Sequence, residues 1–99
     1  MNRAQTLKTR LLLGSSESGS VLAMQAEVFR ESNYIVIPAA SNDAILEHIE
    51  NTDFDVLVLN HTISFADRKT LARKMKSRNP VSGVVVLHHS GSLDRKSVV

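Results

Sequence analysis

The chain has 99 residues, of which 42% are hydrophobic and 22% are charged, and its formal net charge is only +2. This composition indicates a single globular domain with a modest core. The absence of cysteine excludes disulfides, zinc–thiolate sites and thiol catalysis, no apolar run is long enough to span a membrane, and the net charge is too small to indicate nucleic-acid binding by itself.

The first half of the chain alternates strand-like and helix-like segments. Residues 1–9 are basic and lack the apolar segment of a secretory signal, so they are predicted to be a tail of a cytoplasmic protein. The apolar run 10–13 predicts a buried strand. Residues 18–31 carry apolar side chains at helical spacing, with Ser18 or Ser20 as the N-cap. The β-branched run 34–37 predicts a second strand.

The second half repeats the alternation. Ser41 is predicted to cap a second helix, and residues 56–59 form a third strand that is apolar on both faces. Residues 64–79 predict a third helix, and 84–87 a fourth strand. Strands that are apolar on both faces are typical of a parallel sheet covered by helices on both sides. The alternation therefore predicts a three-layer α/β/α domain with an open, mostly parallel sheet.

The register of these segments resembles the receiver domain of response regulators, which has a flavodoxin-like fold. Residues 14–17 follow the first strand, where that family carries its acidic pair. Asn60 ends the third strand at the position of the phosphorylated aspartate, and 60–67 matches the loop that follows it. The fourth strand is followed by His88 at the position of the family's switch residue. The resemblance covers roughly residues 10–91.

The resemblance also implies domain boundaries. Residues 10–92 are expected to form the receiver-like domain, and 93–99 a C-terminal tail or a truncated continuation. A fifth strand and a final helix are not clear in the sequence, so the sheet is expected to have four parallel strands. The fourth strand would then be an exposed edge that needs a cover or a partner.

The residues that carry the family's chemistry are replaced. Ser15 and Ser16 stand where two carboxylates would hold Mg²⁺, and few anionic ligands mean poor binding of a hard cation. Asn60 cannot form an aspartyl-phosphate. His88 stands at the switch position, and Glu17 is the one acid left beside the metal position. The resemblance therefore implies a pseudo-receiver with no phosphoryl transfer and no cofactor.

Two other site chemistries remain open at the carboxyl ends of the strands. His61, His88 and His89 follow neighbouring strands, and imidazoles gathered there could hold zinc with Glu17 as an oxygen ligand. The hydroxyls of Ser15 and Ser16, which lie between glycines, could contact a phosphate. Either reading makes the chain a phosphate- or metal-responsive sensor. The alternative is a set of polar loop residues without a ligand.

The third helix is strongly basic over residues 68–78. Lys69, Arg73 and Lys76 share one face because of their i, i+4, i+7 spacing. This face could bind an acidic protein surface or a phosphate backbone, or it could simply be solvated. No aromatic residues are interleaved for base stacking, which disfavours single-stranded nucleic acid.

The function predicted from the sequence is a receiver-like module that is not phosphorylated and not an enzyme. It would act in bacterial-type signal transduction through protein–protein contacts, including self-association through the exposed edge of the fourth strand. The alternatives are the ligand-responsive sensor, a nucleic-acid-associated module using residues 68–78, and a piece of a longer receiver-containing protein.

Overall fold

The structure is a computed structural model that describes residues 8–17, 19–88 and 95–98; for residues 88 and 95–98 it describes the backbone. Its elements in chain order are β1 (Arg10–Gly14), α1 (Ser20–Glu31), β2 (Ile35–Ala39), α2 (Asn42–Asn51), β3 (Val56–Leu59), α3 (Phe65–Arg78), β4 (Gly83–His88) and β5 (Arg95–Val98).

The strands form one sheet in the order β2-β1-β3-β4-β5. The pairs β1–β2, β1–β3 and β3–β4 are parallel, which is the flavodoxin-like order with its switch point beside β1. The predicted α/β fold, with four parallel strands and three helices, is confirmed. This topology brings the loops that follow β1 and β3 together at the carboxyl edge of the sheet.

A fifth strand lies next to β4, where the sequence predicted an exposed edge. β5 runs antiparallel to β4, with Val85 opposite Val98 and Leu87 opposite Lys96. The segment Arg95–Val98 is short and mostly polar, so its sequence has no strand pattern of its own. It forms a strand because its backbone pairs with the outer side of β4. The expectation that β4 is an unpaired edge is therefore corrected. The boundaries at 10–92 and 93–99 stay predictions.

Two apolar clusters hold the layers together. One cluster lies between the sheet and the pair α2 and α3, and its fully buried members include Leu12, Ile45, Leu57 and Leu71. The other lies under α1 and joins Leu22 and Ala26 to residues of β1, β2 and β3. Side chains of β1 and β3 alternate between the two clusters, as expected for strands buried on both faces.

The helix starts differ in how they are capped. The Ser41 side chain accepts a hydrogen bond from the Ala44 amide (3.1 Å), so its predicted role as the α2 cap is confirmed. The cap of α1 is Gly19, at φ 130°, and no side chain bonds to it. Ser20 is already inside the helix, so its predicted capping role is wrong, and Ser18 lies outside the described residues. A left-handed φ is accessible to glycine without strain, which explains its place there.

We expect Ser41→Ala to lower the free energy of unfolding by about 1 kcal/mol, because the Ala44 amide loses its acceptor. Thermal unfolding followed by circular dichroism measures this as a decrease in Tm. Ser77→Ala, at an exposed position inside α3, is the matched control and should leave the Tm nearly unchanged. Equal Tm values for Ser41→Ala and the wild type would contradict the capping role.

In the part of the chain that the structure describes, the helices are too short and too polar for any of them to cross a membrane.

Candidate functional site

The candidate site lies where the loops after β1 and β3 leave the sheet side by side. The backbone amide of Asn60 donates to the Gly14 carbonyl (2.9 Å), and the backbone amide of Ser15 donates to the Ala39 carbonyl (2.9 Å). These backbone bonds extend the strand pairing by one residue beyond β1 and β3. As a result Ser15 and Asn60 are both buried, each with 1% of its surface exposed.

The Asn60 side chain is fixed through both of its polar atoms. Its Oδ1 accepts from the Thr62 amide (3.0 Å) and from the Thr62 hydroxyl (2.5 Å). Its Nδ2 donates to Oε1 of Gln25 (3.3 Å), which projects from α1. In this arrangement Asn60 acts as a donor and as an acceptor at once, which an ionised carboxylate cannot do.

Thr62 joins the two loops. Its Oγ1 accepts from the Ser16 amide (2.9 Å) and lies 3.1 Å from Ser15 Oγ. Its carbonyl accepts from Ser16 Oγ (2.9 Å). Together with the bonds to Asn60, these contacts make Thr62 the shared partner of three polar residues, and they hold the β1–α1 loop against the β3–α3 loop.

Ser15 is also bonded within its own loop. Its hydroxyl donates to the Glu17 carbonyl (2.7 Å) and accepts from the Glu17 amide (3.0 Å). A buried hydroxyl that makes these bonds is satisfied without a ligand. Because the loop turns on Ser15, the Glu17 side chain is carried outward, and Glu17 is exposed.

A cavity of about 300 Å³ lies above this network. It is lined by Ser15, Glu17, Gly19, Ser20, Val21, Leu22, Asn60, His61 and Thr62. Glu17 is the one acid in this lining. The buried floor consists of the Asn60 side-chain amide and the hydroxyls of Ser15 and Thr62, and each of these groups has a hydrogen-bond partner within the two loops. Such a floor contains no carboxylate to accept a phosphoryl group, and it offers a hard divalent cation little negative charge.

The structure brings together Ser15, Ser16 and Asn60, three of the residues that the sequence placed in the site. His61 is exposed and also lines the cavity. The backbone of His88 ends β4, but the His88 side chain and all of His89 lie outside the described residues, so the predicted three-histidine group is untested. Within residues 8–17 and 19–87, no three His, Asp or Glu side chains are arranged to hold a metal ion.

Two residues of the network were not predicted from the sequence, namely Gln25 and Thr62. Gln25 leaves a weak signal, because it is a polar residue within the apolar stretch of α1. Thr62 leaves none: a threonine two residues after a strand is common in loops, and its role depends on contacts with residues 45 or more positions away.

The predicted basic face of α3 is exposed. Lys69, Arg73 and Lys76 all lie on the solvent side of the helix. Lys76 Nζ donates to the Ser82 carbonyl. Lys69 Nζ lies 5.5 Å from the ring centre of Phe65, a cation–π contact, and Phe65 itself is 69% exposed. The charges of Lys69 and Arg73 therefore face solvent.

Comparison with known proteins bears on the fold. The chain is similar in structure to the receiver domain of NtrC4 from Aquifex aeolicus, with a TM-score of 0.67. The similarity covers 86% of this chain and 69% of that one, at 22% sequence identity. No family model and no curated protein matches the chain. At this identity the similarity establishes a receiver-like fold.

Proposed function

We propose that this chain is a receiver-like module that works in signal transduction by binding proteins, and that phosphorylation does not switch it. The observation that carries the proposal is Asn60. Asn60 directly follows β3, at the position where the receiver resemblance places the phosphorylated aspartate. Its side-chain oxygen accepts from the Thr62 backbone amide, and its side-chain nitrogen donates to Gln25. A receiver-like fold supports a role in signal transduction, and the neutral floor of the cavity supports the absence of phosphoryl transfer.

The hydrogen-bond network gives a physical reason why the acidic pair and the aspartate of a receiver are replaced together. An acidic pair and an aspartate at the positions of Ser15, Ser16 and Asn60 would place several negative charges close together, and only a bound cation could offset their repulsion. In this chain the Ser16 hydroxyl donates to the Thr62 carbonyl, the Asn60 side-chain oxygen accepts from the Thr62 hydroxyl, and the Ser15 hydroxyl bonds to Glu17, so the three positions need no cation. The loops are thus held by hydrogen bonds that do not depend on Mg²⁺ or on phosphate.

A module without this chemistry acts through its surface. Lys69, Arg73 and Lys76 on α3 stay the predicted contact residues for a protein partner, and their exposure supports that role. The small net charge of +2 favours a protein partner over nucleic acid. We propose that the module has no catalytic activity of its own and works in the cytoplasm.

A magnesium titration tests this proposal. We expect the backbone amide resonances of Ser15, Asn60 and Thr62 to show no saturable shift on addition of Mg²⁺, because the cavity floor has no carboxylate to bind it. Resonances of exposed acids such as Asp43 serve as the control for weak non-specific binding. A saturable shift confined to the three pocket residues would show that the site still binds the cation and would overturn the proposal.

A further inference from the structure

The outer side of α2 carries a row of acids. Asp43, Glu47 and Glu50 are all exposed, and their i, i+4, i+7 spacing places them on one ridge of the helix. Ile45 and Ile49, on the opposite side, are fully buried against the sheet. The acid row therefore points straight away from the core.

The outer side of α3 carries a basic row with the same spacing, formed by Lys69, Arg73 and Lys76. Here the buried residues on the opposite side are Leu71 and Met75. In both helices the charged row begins two residues before the first buried residue of the inner side. The two rows thus stand at the same angle to the sheet, one negative and one positive.

The two helices lie next to each other and point the same way. They pack side by side on one face of the sheet. β2, β3 and β4 are aligned in one direction, so α2 and α3, which cross back between them, share the opposite direction. This face of the domain is therefore divided lengthwise into an acidic half and a basic half.

The two rows do not neutralise each other within the chain. The ion pairs among the described residues are Arg30–Glu27 on α1 and Arg78–Asp53 at the far end of α3. Neither pair includes a member of the acid row or of the basic row. Lys76 donates to the Ser82 carbonyl, but the acid row and the charges of Lys69 and Arg73 face solvent and are available to an outside partner.

We propose that this face binds a second copy of the same chain, so that the acid row of each copy lies over the basic row of the other. Consider a two-fold axis that lies in the interface, above the charged face, parallel to the helices and over the line midway between α2 and α3. This axis places α2 of one copy on α3 of its partner, with both helices pointing the same way. Such an interface is self-complementary, as a two-fold dimer requires. A two-fold axis across the helices would instead place like charges together.

The acid row and the basic row also match when residues are counted from the helix caps. Glu50 is nine residues after Ser41, and Arg73 is nine residues after Ser64. Glu47 and Lys69 are six and five residues after the same caps. At a rise of about 1.5 Å per residue, the two members of each pair lie at nearly the same distance from the start of their own helix. The proposed dimer brings them together, and its symmetry makes each pair twice.

Charge complementarity favours a second copy over nucleic acid. A phosphate backbone would be attracted to the basic row but repelled by the acid row beside it. A second copy matches both rows at once. A second copy of the chain is thus a partner for the module proposed above. The proposal rests on that function only because a module that is not phosphorylated must act by binding. Its failure would leave the magnesium result unaffected.

Sedimentation equilibrium at about millimolar protein tests the proposal, because exposed ion pairs are individually weak. We expect the wild type to dimerise at low salt and to dissociate at about 1 M salt, where the screening length falls to roughly 3 Å. Reversal of the acid row in Glu47→Lys/Glu50→Lys should weaken the dimer by about tenfold or more. Reversal of the basic row in Lys69→Glu/Arg73→Glu should do the same.

The decisive variant combines all four substitutions. It reverses both charges in each of the pairs Glu47–Lys69 and Glu50–Arg73 while keeping the net charge of the chain. Both pairs can then form again, so the variant should dimerise about as well as the wild type. Glu27→Lys/Glu31→Lys on α1, across the sheet, makes the same charge change as the acid-row reversal but should keep the dimer. Circular dichroism establishes that each variant is folded.

Several results would overturn the proposal. The wild type could be monomeric at low salt, or it could form a dimer that high salt does not weaken. The variants with one reversed row could dimerise like the wild type, or the variant with all four substitutions could fold and stay monomeric. A monomeric wild type that binds duplex DNA in a salt-dependent way would assign the basic row to nucleic acid instead.

Discussion

Asn60→Asp should destabilise the domain by about 3 kcal/mol at neutral pH, although it restores the acid of a receiver. Asn60 is 1% exposed, and no positively charged group among the described residues bonds to it. An ionised carboxylate there would lose the bond to Gln25 Oε1 and would be buried without a counter-ion. Burial would raise the pKa of the new carboxyl above its ordinary value of about 3.9.

The penalty should depend on pH. Because the folded variant would hold its proton more tightly than the unfolded chain, its stability must decrease as pH rises above the unfolded pKa. We therefore expect the Tm difference from the wild type to be large at pH 7 and to shrink as the pH is lowered toward about 3, where the carboxyl is largely protonated in the unfolded state as well. Thermal unfolding across this range measures it.

Asn33→Asp is the control for this substitution, because Asn33 is an exposed turn residue. It makes the same chemical change at the surface and should shift the Tm far less. An Asn60→Asp protein that is as stable as the wild type at pH 7 would mean that the pocket accepts a carboxylate after all. The uncharged hydrogen-bond network would then not explain why position 60 carries an amide and not a carboxylate.

Thr62→Val should cost about 2 kcal/mol, because one hydroxyl serves both loops. The valine keeps the shape of the side chain but gives no hydrogen bond to Asn60 Oδ1 and accepts none from the Ser16 amide. Each hydrogen bond contributes about 1 kcal/mol, and a buried group left without a partner costs more. Valine keeps the backbone bond from its own amide to Asn60, so the domain should still fold.

Urea unfolding measures this loss as a lower midpoint with an unchanged slope. Hydrogen exchange should also show faster opening at the Ser16 amide, since that amide loses its acceptor. Thr70→Val on the exposed side of α3 is the matched control, with an expected loss well below that of Thr62→Val. If both variants lose the same amount, Thr62 is not the link between the loops.

The fold could be predicted because its signals are local. The apolar runs of β1, β3 and β4 and the helical spacing of α1, α2 and α3 each lie within a few consecutive residues. β5 could not be predicted, because Arg95–Val98 becomes a strand through its pairing with β4 and not through its own pattern.

The site was only half predictable for the same reason. Ser15, Ser16 and Asn60 follow strands, and register alone places residues at strand ends in the pocket. Thr62 and Gln25 matter because their side chains reach across from another loop and from α1. Contacts between residues tens of positions apart leave no pattern in a single sequence.

Intact-mass spectrometry after incubation with acetyl phosphate and Mg²⁺ tests the central claim most directly. A receiver that carries its acidic pair and its phosphoacceptor aspartate, run alongside, establishes that the reagent is active. We expect the mass of this chain to stay unchanged, because position 60 carries an amide and the floor around it holds no carboxylate. A stable gain of the mass of one phosphoryl group would contradict the account.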